Sequence, residues 1–376
     1  MGTRKVILLG GVGFLTAFGA HMIAVELPDF GRTHGLGYAG MGVLLAAYNL
    51  AEMGIKPLAG RLSDGLGPRP VMLWGMAVFT ASSFLFLVLP TRILLGIRLA
   101  QGMGAGALSV ASLTLLVASF PRHLGTALGL YQALKGTGYV VAPLIGGFFM
   151  QHGGFRAVFL LAGGAGLVLL VFQLLFASWL AVRPSLAGQP AGPGRQGRLW
   201  PWYLANFTDT ALLGVLLGFL PVRADELGYP PRMSGLLLGA TSLGFLLVQP
   251  LAGALADRLG RRTAVLWGLT VSSLGTGMLG CLTGAGLATT GMIGGLGLGV
   301  AWTNSLARVG EGAGEGRLGR DLGLAGSCKD AGDILGPLSF GLFAARAGLS
   351  SAFFAWAVVG MAVAGIIIFF GREARD

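Results

Sequence analysis

A stretch of sixteen residues, GRLSDGLGPRPVMLWG (Gly60–Gly75), returns later in the chain as GALADRLGRRTAVLWG (Gly253–Gly268). At an offset of 193, Gly60, Asp64, Gly67 and Arg69 recur as Gly253, Asp257, Gly260 and Arg262. Upstream, Pro57-Leu58-Ala59 recurs as Pro250-Leu251-Ala252. Downstream, at an offset of 194, Lys135, Gly138, Pro143 and Gly147 match Lys329, Gly332, Pro337 and Gly341. Register held over three separate segments means two copies of one module, so the fold has to be one that can be built twice.

The module is predicted to be a membrane one. Only 11% of the residues are charged and 54% are hydrophobic, whereas a soluble domain carries about a quarter charged residues. Apolar runs of the length needed to cross hydrocarbon follow one another with short breaks. They fall at 6–28, 36–58, 70–89, 93–119, 124–150 and 155–181, then at 201–222, 233–252, 264–283, 286–308, 321–346 and 350–371. The expected fold class is therefore an all-α integral membrane protein of twelve helices in two pseudo-symmetric bundles. The expected domains are 1–182 and 201–376, joined by a Pro-, Gly- and Arg-rich linker, 183–200. Six spans per copy give the copies one orientation, an arrangement that places a binding site near mid-depth where the repeats meet.

The net charge of +11 invites a nucleic-acid reading, but its placement argues against one. Counted from a cytoplasmic N-terminus, most arginines, among them Arg61, Arg69, Arg258, Arg261 and Arg262, fall on inner segments. This positive-inside bias predicts cytoplasmic termini and cytoplasmic copies of the repeated loop. Arg4-Lys5 and the apolar run behind it read as a first helix rather than a leader, because the run reaches Pro28. Cys281 and Cys328 offer neither metal-ligand spacing nor a disulfide framework. Gly314, Gly316 and Gly319 fit the dinucleotide pattern G-x-G-x-x-G without the strand that such a site requires. No cofactor, no metal and no enzymatic chemistry are expected. The chain's 67 glycines lie inside apolar spans, where small residues let membrane helices approach closely; Gly291, Gly295 and Gly299 form one such stripe.

These motifs together resemble the major facilitator superfamily over essentially the whole chain. GRLSDGLGPR is similar to the family's signature between helices 2 and 3, with Gly65 and Pro68 where basic residues are expected; GALADRLGRR resembles it more fully. The resemblance implies a cytoplasmic latch formed by Gly60, Asp64, Gly67 and Arg69 and by Gly253, Asp257, Arg258, Gly260, Arg261 and Arg262. LLGIRLAQGMGAG resembles the family's helix 4 motif, and it makes Arg98 and Gln101 candidates for proton coupling. An arginine in hydrocarbon is expected to face a cavity or an acid. GYVVAPLIGG resembles the glycine–proline motif of the family's exporters, with Ala142 for one glycine, and GDILGPLSFG repeats it. Gly138, Pro143, Gly147, Gly332, Gly336 and Pro337 are thus hinge candidates.

Charges within spans mark where coupling and substrate should be sought. Glu52 and Lys56 stand at i, i+4 and can pair. Lys135 and Lys329 hold equivalent mid-depth positions, Lys329 is followed by Asp330 and Asp333, and Asp209 lies early in helix 7. Glu26, at the end of helix 1, reads as gating or surface. Two readings of the lysines stand open: Asp330 and Asp333 neutralise them and carry a proton, or the lysines hold an anionic substrate. The expected function is a secondary transporter, lined by helices 1, 4, 7 and 10 as the resemblance implies. It would export a small amphipathic or drug-like molecule against protons, as a monomer in the cytoplasmic membrane of a prokaryote. Its partners would be that substrate, protons and lipid, with no nucleic acid. The alternatives are transport of an anionic metabolite or lipid-like anion, and a non-transporting sensor or scaffold; the latter usually carries an added soluble domain or tail.

Overall fold

A computed structural model describes residues 2–33, 38–88, 93–120, 123–175, 199–229 and 231–371. Most of the expected linker, 183–198, lies outside them, as do the side chains of Glu26 and Pro143. The described residues are helical, with no strand. The helices are α1 (Gly2–Thr33), α2 (Tyr38–Leu66), α3 (Pro68–Leu85), α4 (Leu94–Ser119), and a long stretch Leu124–Leu175. Gly154, at φ 62° and ψ −165°, breaks that stretch into α5 (124–153) and α6 (155–175). Then come α7 (Trp200–Glu226), α8 (Pro231–Leu259), α9 (Arg261–Met278), α10 (Ala285–Gly312), α11 (Leu318–Ala347) and α12 (Leu349–Phe370). Each expected span has its helix. By length and composition alone, seven windows among the described residues are long and apolar enough to cross a membrane.

The repeated stretch is less of a loop than its charge and glycines suggested. Residues Gly60–Leu66 continue α2, and a single residue, Gly67 at φ 86°, turns the chain into α3 at Pro68. The second copy does the same, with Gly260 at φ 93° between Leu259 and Arg261. A side chain is strained at such a φ, so glycine is required at both turns. The helical extension puts Gly60 and Asp64, and likewise Gly253 and Asp257, one above the other on one face.

Contacts divide the chain into two compact units. The first takes Met1–Ser119, Leu130–Gln189 and Gly314–Leu324; the second takes Phe120–Gly129, Pro190–Ala313 and Ala325–Asp376. In the first, α4 packs on α2 and α3; in the second, α10 packs on α8 and α9. Glycines set both packings. A Cβ at Gly102 or Gly106 would overlap the backbone of α2 at Tyr48 or Glu52, and one at Gly295 or Gly299 would overlap α8 at Thr241 or Phe245. These two sets of contacts are also related by 193 positions, so the repeat in sequence is a repeat in packing. Phe18, Met22, Phe86 and Phe159 anchor the core of the first unit, and Leu212, Leu216, Phe340 and Phe353 that of the second.

Candidate functional site

The repeated aspartates each cap a helix. In the first unit the Asp64 carboxylate accepts from the backbone N–H groups of Gly319 (2.6 Å) and Arg320 (2.9 Å), in the first turn of α11. In the second, Asp257 accepts from Gly125 (3.0 Å) and Thr126 (3.1 Å), in the first turn of α5, and from the Thr126 hydroxyl (2.8 Å). The first N–H groups of a helix have no partner within it and carry its positive dipole end, which is why a carboxylate settles there. Close approach makes the contact possible: a Cβ at Gly60 would overlap the Gly319 carbonyl, and one at Gly253 the Gly125 carbonyl.

The two caps differ in company. Arg261 pairs with Asp257, donates to Glu311 (3.0 Å) and Asn304 (3.2 Å), and is buried. Arg262 donates to the last carbonyls of α12, at Ile367 and Ile368. Arg258 is exposed. Pro68 stands where Arg261 would repeat, and Arg69 keeps a buried Nε without a hydrogen bond. Burial pushes the Asp64 carboxyl above the usual aspartate value, and the two N–H groups of α11 offset this only in part. Glu311 and Asn304 were not foreseen, since nothing in the sequence joins them to a residue some 43 to 50 positions away.

Arg98 is 1% exposed, which disposes of a side chain reaching for the membrane surface. Its recorded partners among the described residues are neutral: Gln101 Oε1 (2.6 Å), the Leu44 carbonyl (3.4 Å) and the Tyr48 ring (4.6 Å). Gln101 donates onward to Ser83 (3.1 Å), which donates to the Phe79 carbonyl. This is a buried polar chain, not the acid or open cavity expected.

The other interior charges separate between the units. In the first, Lys56 pairs with Glu52 (2.8 Å), and Lys135 donates to Ser109 (3.2 Å). Glu52 and Lys135 line one pocket, of about 360 Å³ counting its open side, among α1, α2, α4 and α5. Three tyrosines, Tyr48, Tyr131 and Tyr139, share it with His21. The chain has only 6 tyrosines, so a clustering of three was the one sequence signal available, and it lay on two helices far apart in sequence. In the second unit Lys329 pairs with Asp333 and lies 3.5 Å from Asp330. Asp209 on α7 is fully buried, and neither carboxyl oxygen has a hydrogen bond. Asp333 is the charge that acts on it.

Four of the six hinge candidates, Gly138, Gly332, Gly336 and Pro337, are contact points. A Cβ at Gly138 of α5 would lie 2.6 Å from the Phe14 carbonyl of α1; one at Gly332 of α11 would overlap the Phe207 carbonyl of α7. Phe14 and Phe207 are again 193 apart. Gly336 packs on Ala211, Pro337 on Gly214, and α11 runs unbroken through Pro337. Gly147 has open space beside it. Among the described residues no group of three or more His, Cys, Asp or Glu side chains has metal-site geometry.

Comparison with known proteins agrees with this architecture. A model of the Major Facilitator Superfamily matches residues 9–201 and again 199–376. Multidrug resistance protein Stp of Mycobacterium tuberculosis is 28% identical over 335 residues, which cover 73% of this chain and 62% of Stp. The chain thus spans less than two thirds of that relative. Quinolone resistance protein NorA of Staphylococcus aureus is 30% identical over 164 residues, 43% of this chain and 42% of NorA. In structure, the human organic anion transporter MFSD10 superimposes with a TM-score of 0.79 at 17% identity, covering 97% of this chain and 99% of that one; at that identity the likeness speaks for the fold alone. With one family model matching both copies of the module, the chain belongs to the major facilitator superfamily of membrane transporters.

Proposed function

We propose that the chain is a secondary active transporter that works by alternating access and couples proton movement to export of a small amphipathic or drug-like molecule. The observation that carries the coupling is Asp209: a carboxyl with no exposure and no hydrogen bond on either oxygen. An unpartnered carboxylate at that depth is costly, so the side chain is stable there with a proton on it. Lys329, Asp330 and Asp333 stand on the neighbouring α11, whose glycines touch α7 at Phe207 and Ala211. Loss of the proton from Asp209 would set its charge against Asp333 and compete for Lys329. That exchange links protonation to the packing of α7 on α11. Export of drug-like molecules is supported by the resistance relatives Stp and NorA.

In this reading the halves 1–182 and 201–376, joined by 183–200, give alternating access to the two sides of the membrane, and the Asp64 and Asp257 caps form and break with each cycle. The arginine bias supports cytoplasmic termini in a prokaryotic inner membrane, and the monomer is taken as the working unit. The test uses proteoliposomes with a trapped pH-sensitive dye and an imposed proton gradient. Addition of amphipathic compounds should dissipate the gradient with the native protein. Asp209→Asn should abolish that dissipation while leaving gradient-independent counterflow of the same compound intact. Full dissipation by Asp209→Asn would sink the assignment.

A further inference from the structure

Arg308, one turn short of the end of α10, is 5% exposed, and its Nε has no hydrogen bond. Among the described residues its recorded contact is the face of Trp202, 5.8 Å from the ring centroid. The acid one turn on, Glu311, is taken by Arg261 at 3.0 Å. A guanidinium left without an oxygen partner at such burial is costly. The repeat shows that the crossing of these helices does not need the charge. At the positions 193 residues before Arg308 and Trp202 the chain has Leu115 and Leu9, both fully buried. The second unit thus sets a cation on an aromatic face where the first sets two leucines, and that exchange is favourable once an anion from outside the chain answers the cation.

The surroundings say where the anion comes from. Trp202 lies in the first turn of α7, at the positive end of that helix dipole. Trp200, in the same turn, is half-exposed and meets the half-exposed Phe370 at the end of α12, ring centroids 5.5 Å apart. Arg262 donates to the last carbonyls of α12, so a second guanidinium stands at the same helix end. Gly312 keeps a side chain away from the Arg308 guanidinium, since a Cβ there would lie 3.3 Å from Nη1. Exposed aromatic side chains beside guanidiniums at helix ends are the composition of a membrane interface, the depth at which lipid headgroups sit.

We propose that this end of the second unit, formed by α7, α10 and α12, binds the headgroup of an anionic phospholipid: Arg308 takes the phosphate oxygens, and the acyl chains lie along Trp200 and Phe370. A planar guanidinium matches two phosphate oxygens at once. Free phosphate offers the same oxygens but nothing for the aromatic pair, and a zwitterionic lipid brings its own cation to a place that already has two. The inference is independent of the proton and of the exported molecule; it needs only that the chain lies in a bilayer.

The test is thermal melting of the purified full chain in dodecyl maltoside, a neutral detergent, titrated with dioctanoylphosphatidylglycerol, dioctanoylphosphatidylcholine or inorganic phosphate. A ligand of the folded state raises the melting temperature according to its affinity. The glycerol lipid should bind roughly tenfold tighter than the choline lipid or phosphate, as a hydrogen-bonded charge pair gives. Arg308→Met should remove that preference, and Arg308→Lys should keep part of it. Without lipid, Arg308→Met should melt about 2 °C or more above the native chain, because the unanswered charge is gone. If Arg308→Met melts below the native chain in lipid-free detergent, or is too unstable to purify, an acid of the chain's own answers Arg308 and the inference is overturned. Equal response to the two lipids, a full response to phosphate alone, or an undiminished lipid response in Arg308→Met would overturn it too. Asp209→Asn should respond to the glycerol lipid as the native protein does, so this assay and the dye assay fail independently.

Discussion

The two copies of the repeated loop make the same bond with unequal support. Asp64 and Asp257 each hold two N–H groups in the first turn of a helix more than a hundred residues away. Among the described residues only Asp257 also has a guanidinium at ion-pair distance, itself held by Glu311 and Asn304, while Arg320 acts on Asp64 from farther off. At the positions 193 residues before Asn304 and Glu311 the chain has Ala111 and Ala118. The first copy therefore lacks the counterparts of Arg261, Asn304 and Glu311 together, not one arginine. What survives in both copies is the part that depends on backbone: the capping acid, the glycine crossing and the turn glycine. A helix terminus needs its acid whatever side chains surround it, while a charge network is useful only when every member is present.

The largest effect should come from Arg261→Met, which leaves Asp257 and Glu311 without their shared cation. We expect a loss of about 3 kcal/mol, read as a lower melting temperature in detergent, with Glu311→Gln in the same background recovering part of it. An Arg261→Met protein as stable as the native one would remove the basis of the asymmetry. Next, Asp257→Asn should cost about 2 kcal/mol and Asp64→Asn about 1, since charge-assisted bonds weaken in both but only one loses an ion pair. Asparagine is also closer to the neutral form toward which burial already pushes Asp64. Identical losses would mean that the caps are equal and the network idle. Gly67→Ala and Gly260→Ala should cost the same, about 1 kcal/mol each, because the strain is in the backbone at φ 86° and 93°. A clear difference would show that side-chain company reaches the turns. The smallest effect belongs to Pro68→Arg, which we expect to stay within about 0.5 kcal/mol. Adding Ala118→Glu should make the pair more stable than the sum of its parts, which a double-mutant cycle on melting temperatures can measure.

Much of this was legible in the sequence. Apolar runs of spanning length leave a chain no option but helices, because hydrocarbon offers the backbone no other hydrogen-bond partner. That is why the twelve spans reappear as twelve helices with shifted ends. The offset of 193 announced the symmetric packing of Gly102 on Tyr48 and Gly295 on Thr241. The acids of the repeated loop stood out as charges at fixed register. The helical continuation to Leu66 and Leu259 did not, since charged residues at a membrane boundary read equally well as loop or helix end.

Repeat, helix number, family and the positions of the interior charges were thus determined by the sequence itself, for they depend on local hydrophobicity and register. Tertiary structure alone decided what each charge meets. Guanidiniums or a helix N-terminus were both open to Asp64 and Asp257 from the sequence, but which helix supplies the N–H groups leaves no mark there, because backbone carries no residue identity. Arg98 turned out to sit on Gln101 and a tyrosine ring rather than an acid. Lys135 and Lys329, equivalent by register, part company because one lines a pocket of tyrosines gathered from two helices while the other is answered within a single helical turn. Electrostatic environment is set by distance in space, and four helices must pack before that distance exists.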